Sequence, residues 1–151
     1  MTNIMFVCHG NICRSPMAEF VMKDMVKKHG MEKEFFIVSS ATSTEEIGNP
    51  VHPGTRKKLA EYNISTEGKY AVQFKNTDYD KYDYIICMDN FNVRNLMRII
   101  GSDIDEKVYK LLDFDGGGDV DDPWYTGDFD TTYNDIYRGC KALLKSITED
   151  C

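Results

Sequence analysis

Cys8 is followed, after five intervening residues, by Arg14, and then by Ser15 and Pro16. A phosphoryl group brings up to about two negative charges and three acceptor oxygens. The residues between Cys8 and Arg14 suit such a guest. Gly10 removes a side chain where backbone must come close, and Asn11 tolerates a left-handed turn, so successive N–H groups can converge on one anion. Arg14 adds a planar fork that grips two oxygens at once, which a lysine cannot do. Thiols beside a cation or a helix N-terminus are held as thiolates, so Cys8 needs no histidine base to act as a nucleophile. The Ser15 hydroxyl lies where it can hydrogen-bond the sulfur and steady it when it later departs. A cysteine–arginine spacing also arises by chance, and a buried cysteine is commonly inert. The surroundings favour chemistry: apolar Ile4–Val7 in front, Gly and Asn inside, Ser-Pro and a helical pattern behind. Cys8, His9 and Cys13 as metal ligands are a weaker reading. Zinc motifs come as two ligand pairs, no second pair exists, and His29 and His52 stand alone and read as surface residues.

A second stretch able to do chemistry is Asp122-Pro123-Trp124-Tyr125. Displacing a phenol from phosphorus is faster when a neutral acid protonates the leaving oxygen. Pro123 stiffens the loop, and Trp124 and Tyr125 can wall an aromatic group and desolvate the acid. Asp121 competes for the role, and an acidic turn with two core aromatics explains the stretch equally well. The acidic, glycine-rich run from Asp113 to Asp122 suggests calcium. It lacks the terminal Glu and the glycine placement of an EF-hand loop, so a solvated loop is the better reading.

Both stretches must be held by regular elements. Asn3–Val7 reads as a buried parallel strand. Ser15 as N-cap and Pro16 as first residue open a helix whose apolar pattern runs from Met17 to Lys28 and stops at Gly30. Further strands are expected at Phe35–Ser39, Tyr70–Phe74, Tyr82–Met88 and Val108–Leu112. Further helices are expected at Pro53–Tyr62, Phe91–Ile100 (capped by Asp89 and Asn90) and Phe129–Ile147, with a helical turn at Asn76–Lys81. Strands alternating with helices imply an α/β fold, with a central parallel sheet of about four strands and helices on both faces. Ligands in such sheets sit beyond the carboxyl ends of the strands, where the loop after the first strand lies. No repeat, linker or low-complexity tract divides the chain, so residues 1–151 are expected to form one domain.

The 151 residues carry a net charge of −7 and a pI of about 4.9. A broad basic surface is excluded, and nucleic acid with it; an anion site here is a local positive spot in an acidic field. Five cysteines at positions 8, 13, 87, 140 and 151 make no disulfide framework and fit a reducing compartment. The first apolar run is too short for a signal peptide and no stretch is long enough to span a membrane. These features point to a cytoplasmic protein, with a monomer favoured.

The run Cys8-His9-Gly10-Asn11-Ile12-Cys13-Arg14-Ser15-Pro16-Met17-Ala18-Glu19 resembles the signature of the low molecular weight protein tyrosine phosphatases. The likeness continues through Ser39–Ser43, Ile47–Pro50, Asp83–Asp89 and Asp122–Tyr125, in the same order. The resemblance implies hydrolysis of phosphotyrosine proteins or other aryl phosphates through a phosphocysteine, releasing inorganic phosphate without metal or cofactor. It implies that Cys8 is the nucleophile, that Arg14 binds phosphate and the transition state, and that Asp122 is general acid and then base. His9, Gly10, Asn11, Ile12 and Cys13 match the phosphate-binding loop. Ser15 matches the residue serving the sulfur, and Ser43, with Asn11, matches a position that shapes the loop. Cys13 matches a cysteine that in the family pairs with the nucleophile under oxidation. Arsenate reductases of this fold need extra resolving cysteines, which the lone Cys87 does not supply. Protein arginine phosphatases tend to carry threonine where this chain has Ile12, and to lack the second aromatic, here Tyr125. A silent phosphate-binding or redox-sensing module is the remaining rival, and the pairing of Cys8 with Asp122 argues against it. One departure stands out. Where the family presents a tryptophan or tyrosine to the substrate ring, this chain has Glu45. Beside Trp124 and Tyr125 the substrate wall then holds a carboxylate, so a weaker grip on acidic phosphopeptides is expected. His9 is an unusual loop residue, expected to pack outside the loop.

Overall fold

A computed structural model describes residues 1–149; Cys151 lies outside the described residues. The first strand, β1 (Thr2–Cys8), is the centre of the sheet. Its apolar residues Ile4–Val7 are at most 4% exposed, because both edges are paired and both faces are covered, the situation that makes a parallel strand apolar throughout. β2 (Phe35–Ala41), β3 (Tyr84–Cys87) and β4 (Val108–Lys110) complete a four-stranded parallel sheet in the order β2-β1-β3-β4. The register places Cys8 beside Ala41 and Val7 beside Cys87. The loops after β1, β2 and β3 therefore leave the sheet at one end.

Alternation along the strands sends side chains to two cores. Ile4, Phe6, Cys8 and Ile86 pack with Met17, Met22, Ile136, Cys140 and Leu143, beneath α1 (Arg14–Lys28) and α5 (Phe129–Glu149). Met5, Val7, Ile85 and Cys87 pack on the other face with Phe74, Tyr79 and Leu96, beneath α3 (Asn90–Ile100) and the 3-10 turn Asn76–Lys81. α2 (Pro53–Ala60) and the short α4 (Pro123–Thr126) lie in the connections. Helices thus cover both faces, as the alternating pattern implies.

Four local expectations need correction. Tyr70–Phe74 forms no strand; it makes only isolated bridges, Pro50 with Tyr70 and Ala41 with Gln73. The last strand stops at Lys110, and Leu111–Asp115 winds into a 3-10 turn whose Leu111 and Leu112 are buried. The run is apolar for packing against α5 rather than for pairing. The third strand is shorter than expected, Tyr84–Cys87 instead of Tyr82–Met88, since its neighbour β4 pairs only three residues. Helix α1 begins at Arg14 with Cys13 as its N-cap and no side-chain capping bond. Ser15 therefore lies inside the first turn, where its hydroxyl has another partner.

Candidate active site

β1 ends at Cys8, and the chain then turns tightly into α1. Asn11 makes that turn possible at φ 59°, a left-handed conformation that asparagine tolerates better than most residues. Its side chain is clamped on three sides. Nδ2 donates to Ser15 Oγ (2.8 Å) and Ser39 Oγ (2.9 Å), and Oδ1 accepts from the Val72 N–H (3.1 Å). The loop thereby wraps around its own sulfur. Asn11 N–H (3.3 Å) and Ser15 N–H (3.4 Å) both donate to Cys8 Sγ, and Ser15 Oγ lies 2.9 Å from it. In place of a side-chain cap on α1, the Ser15 N–H of its first turn points at the Cys8 sulfur, the arrangement by which helix N-termini hold anions.

Arg14 is 3% exposed. Its Nη1 donates to Asp89 Oδ2 (2.7 Å) and to the Val120 carbonyl (2.8 Å), and Nη2 stands 3.5 Å from Asp122 Oδ2. Burial works against its charge, but Cys8, Asp89 and Asp122 outweigh that effect and raise its pKa further above the usual value. Asp89 is itself fixed as the N-cap of α3, accepting from the Asn92 N–H at 2.8 Å. Asp122 caps α4, Oδ1 accepting from the Trp124 N–H at 3.0 Å, so Oδ2 remains towards Arg14. Pro123 at the first helical position supplies the fixed φ that starts this single turn.

Cys8, Arg14 and Asp122 share one cavity of about 120 Å³, lined also by His9, Gly10, Ile12, Cys13, Glu45, Glu46, Trp124 and Tyr125. A wider groove of about 660 Å³ beside α2 contains neither the sulfur nor Arg14. The structure thus brings Cys8, Arg14, Ser15, Asp122, Trp124 and Tyr125 to one place, with His9, Gly10, Ile12 and Cys13 in the same wall. Asp121 is exposed and does not line the cavity. Ser43 Oγ donates to the His9 carbonyl (2.8 Å), and the His9 carbonyl also receives the Ser43 N–H (3.1 Å), so Ser43 braces the start of the loop. His9 Nε2 meets Glu45 Oε2 at 3.0 Å; it bridges to the facing loop instead of packing away from it. His52 is not a solitary surface residue. It caps α2 through Nδ1, which accepts from the Gly54 N–H, while its ring stacks on Phe129 and meets the edge of Trp124. Among the described residues no three His, Cys, Asp or Glu side chains converge on a metal position.

The thiols differ sharply. Cys13 is pushed up to about 12 by burial and by the nearby Cys8, so it stays protonated at neutral pH. Cys87 and Cys140 are fully buried, and burial raises both well above the ordinary thiol range.

Sequence reasoning misses four contributors. Ser39 links Asn11 to a buried carboxylate, donating to Glu19 Oε1 at 2.6 Å. Glu19, 4% exposed, also takes Lys23 Nζ at 2.6 Å and stands 3.5 Å from Lys69 Nζ, which donates to the Ser39 carbonyl. Burial lowers the pKa of Lys69, and Glu19 opposes the fall. Asp89, the fourth, orients Arg14. Glu19 is signalled by its charge on the apolar face of α1, and Ser39 and Asp89 lie in stretches that carry the family likeness, but neither type nor spacing reveals partners 28 and 75 residues away.

Comparison with known proteins agrees with this geometry. The model of the low molecular weight phosphotyrosine protein phosphatase family matches residues 3–151. YfkJ of Bacillus subtilis, a low molecular weight protein-tyrosine-phosphatase, is 40% identical over 153 residues, covering 99% of this chain and 98% of that protein. PtpA of Staphylococcus aureus, of the same description, is 37% identical over 152 residues, covering 99% and 96%. The crystal structure of YfkJ superposes with a TM-score of 0.96 over 99% of this chain and 96% of its own. Sequence, fold and loop geometry agree, and the chain belongs to the low molecular weight phosphotyrosine protein phosphatase family.

Proposed function

We propose that the protein hydrolyses phosphotyrosine in proteins, and other aryl phosphates, through a phosphocysteine. The observation that carries this reading is the ring of donors on Cys8 Sγ in a cavity shared with Arg14 and Asp122. The phosphoryl group sits in the loop, its oxygens on the backbone N–H groups and Arg14. Cys8 Sγ attacks phosphorus in line, and the P–O bond to the phenol breaks. Protonated Asp122 gives its proton to the departing oxygen, releasing a neutral phenol. Water then attacks the phosphocysteine while the Asp122 carboxylate accepts its proton. The P–S bond breaks, inorganic phosphate leaves, and the Ser15 hydroxyl stabilises the freed sulfur. Arg14 stays aligned through both steps because Asp89 and the Val120 carbonyl hold its Nη1. These steps use the chain's own side chains and backbone N–H groups with water, and call for no cofactor. The same reading is of a cytoplasmic enzyme, supported by four free, buried cysteines among the described residues, which fit a reducing compartment; no helix among those residues is long and apolar enough to cross a membrane.

Replacing Cys8 by Ser is expected to reduce turnover of phosphotyrosine to background. Asp122→Ala is expected to cost roughly 10²–10⁴-fold on phosphotyrosine, the usual range for general acid catalysis. It should cost much less on nitrophenyl phosphate, whose leaving group needs no proton. Equal losses on the two substrates would remove Asp122 from the acid role. Phosphoarginine assayed in parallel separates the rival specificity.

A further inference from the structure

We propose that the mouth of this pocket selects phosphotyrosine flanked by arginine or lysine; the proposal rests on the phosphatase reading above. Arg14 at the pocket floor is 3% exposed and already faces Asp89 at 2.7 Å and Asp122 at 3.5 Å. Little of its charge reaches the entrance. Beside His9, Gly10 and Ile12, the entrance carries two kinds of group suited to cations. On one wall stand Glu45 and Glu46. Glu46 lies along Gly10, so close that a Cβ there would meet its Cγ at 3.3 Å, and Asn49 Nδ2 donates to its Oε2 at 2.5 Å. Its carboxylate is therefore held at the rim instead of drifting in solvent. Glu45 is held by His9 through Oε2 alone, and its side chain remains 68% exposed. Trp124 and Tyr125 line the same cavity and are 57% and 83% exposed. Aromatic faces attract guanidinium and ammonium groups, more strongly for arginine. No lysine, and no arginine besides Arg14, lines this cavity among the described residues.

An arginine beside the phosphotyrosine can thus lie between a carboxylate and an aromatic face while the phosphoryl group descends to Cys8. It also offsets the repulsion that a phosphate dianion meets on entering an acidic rim on a chain of net charge −7. An acidic neighbour suffers the same repulsion without relief. Each exposed ion pair is worth up to about fivefold in binding, screened by salt.

The test is steady-state hydrolysis of three phosphotyrosyl peptides of equal length, flanked by Arg and Lys, by Ala, or by Asp and Glu. At low ionic strength kcat/KM is expected to fall in that order, with roughly tenfold or more between the extremes, and the gap should shrink at high salt. The effect should lie mainly in KM. The double variant Glu45→Gln/Glu46→Gln is expected to bring the three values close together. Trp124→Leu in a second variant should reduce the advantage of the Arg peptide in particular. Hydrolysis of all three at equal efficiency, or the same ranking in the double variant, overturns this proposal and leaves the phosphatase reading standing. Failure to hydrolyse even the Ala-flanked peptide overturns both.

Discussion

Cys8 and Cys13 face one cavity, yet only one of them is surrounded by donors. Ser15 Oγ and two N–H groups point at Cys8 Sγ, whereas burial pushes the Cys13 thiol up to about 12. Because its pKa is raised, Cys13 becomes a thiolate only as the pH climbs towards that value. Iodoacetamide at neutral pH is therefore expected to label Cys8 well ahead of Cys13, as read by peptide mapping. Comparable labelling of both would contradict the assigned surroundings. Ser39 is the other decisive single residue. Its hydroxyl accepts from Asn11 and donates to Glu19. In Ser39→Ala two buried polar groups lose a partner, which costs about 1–3 kcal/mol; urea unfolding is expected to show this loss alongside a reduced kcat. The spacing Cys8–Arg14 made the nucleophile and the phosphate ligand legible in the sequence. Ser39 was not legible, since nothing in a strand residue's type tells which loop will lie over it.

Among the elements, α1 and α5 carry the larger core, and their contact explains a residue that local propensity does not. Gly139 lies inside α5, where alanine is ordinarily favoured by about 1 kcal/mol. A Cβ there would meet Leu111 Cγ at 2.6 Å, the branch point of a fully buried side chain in the turn after β4. Gly139→Ala is therefore expected to destabilise the protein by about 1–2 kcal/mol, overpacking outweighing propensity. The check is a lower urea midpoint with an unchanged slope. The extended ends expected for β3 and β4 fail for a related reason. An apolar run reads the same whether it pairs or packs, and Leu111 and Leu112 pack.

At the scale of the whole molecule, the site is assembled where the connections after β1, β3 and β4 meet. Arg14 opens α1, but Asp89 at the β3–α3 junction and Val120 before α4 hold its guanidinium. Asp89→Asn isolates this long-range contribution. Asparagine is as good an N-cap as aspartate, so α3 survives, but the carboxylate charge that faces Arg14 is lost. A hydrogen bond to a charged group is worth about 1.5–3 kcal/mol. Accordingly kcat/KM for nitrophenyl phosphate is expected to drop by roughly tenfold to a hundredfold with little change in thermal midpoint. A large fall in midpoint with intact kinetics would instead make Asp89 a folding residue only.

The sequence by itself determined what depends on neighbours along the chain. The alternating pattern set a parallel α/β sheet. The run from Cys8 to Ser15 set an anion loop opening a helix, and Asp122-Pro123 set a stiff acidic turn. The tertiary structure alone decided what depends on neighbours in space. It brought Asp122 to 3.5 Å from Arg14 while leaving Asp121 exposed, and it tied Asn11 through Ser39 to a buried Glu19. It packed the half-buried His52 ring against Trp124 and Phe129, and set Glu46 beside Glu45 at the pocket entrance. The physical reason is that chain spacing encodes backbone turns and strand faces. Hydrogen-bond partners and burial instead arise when segments dozens of residues apart leave the sheet at the same end.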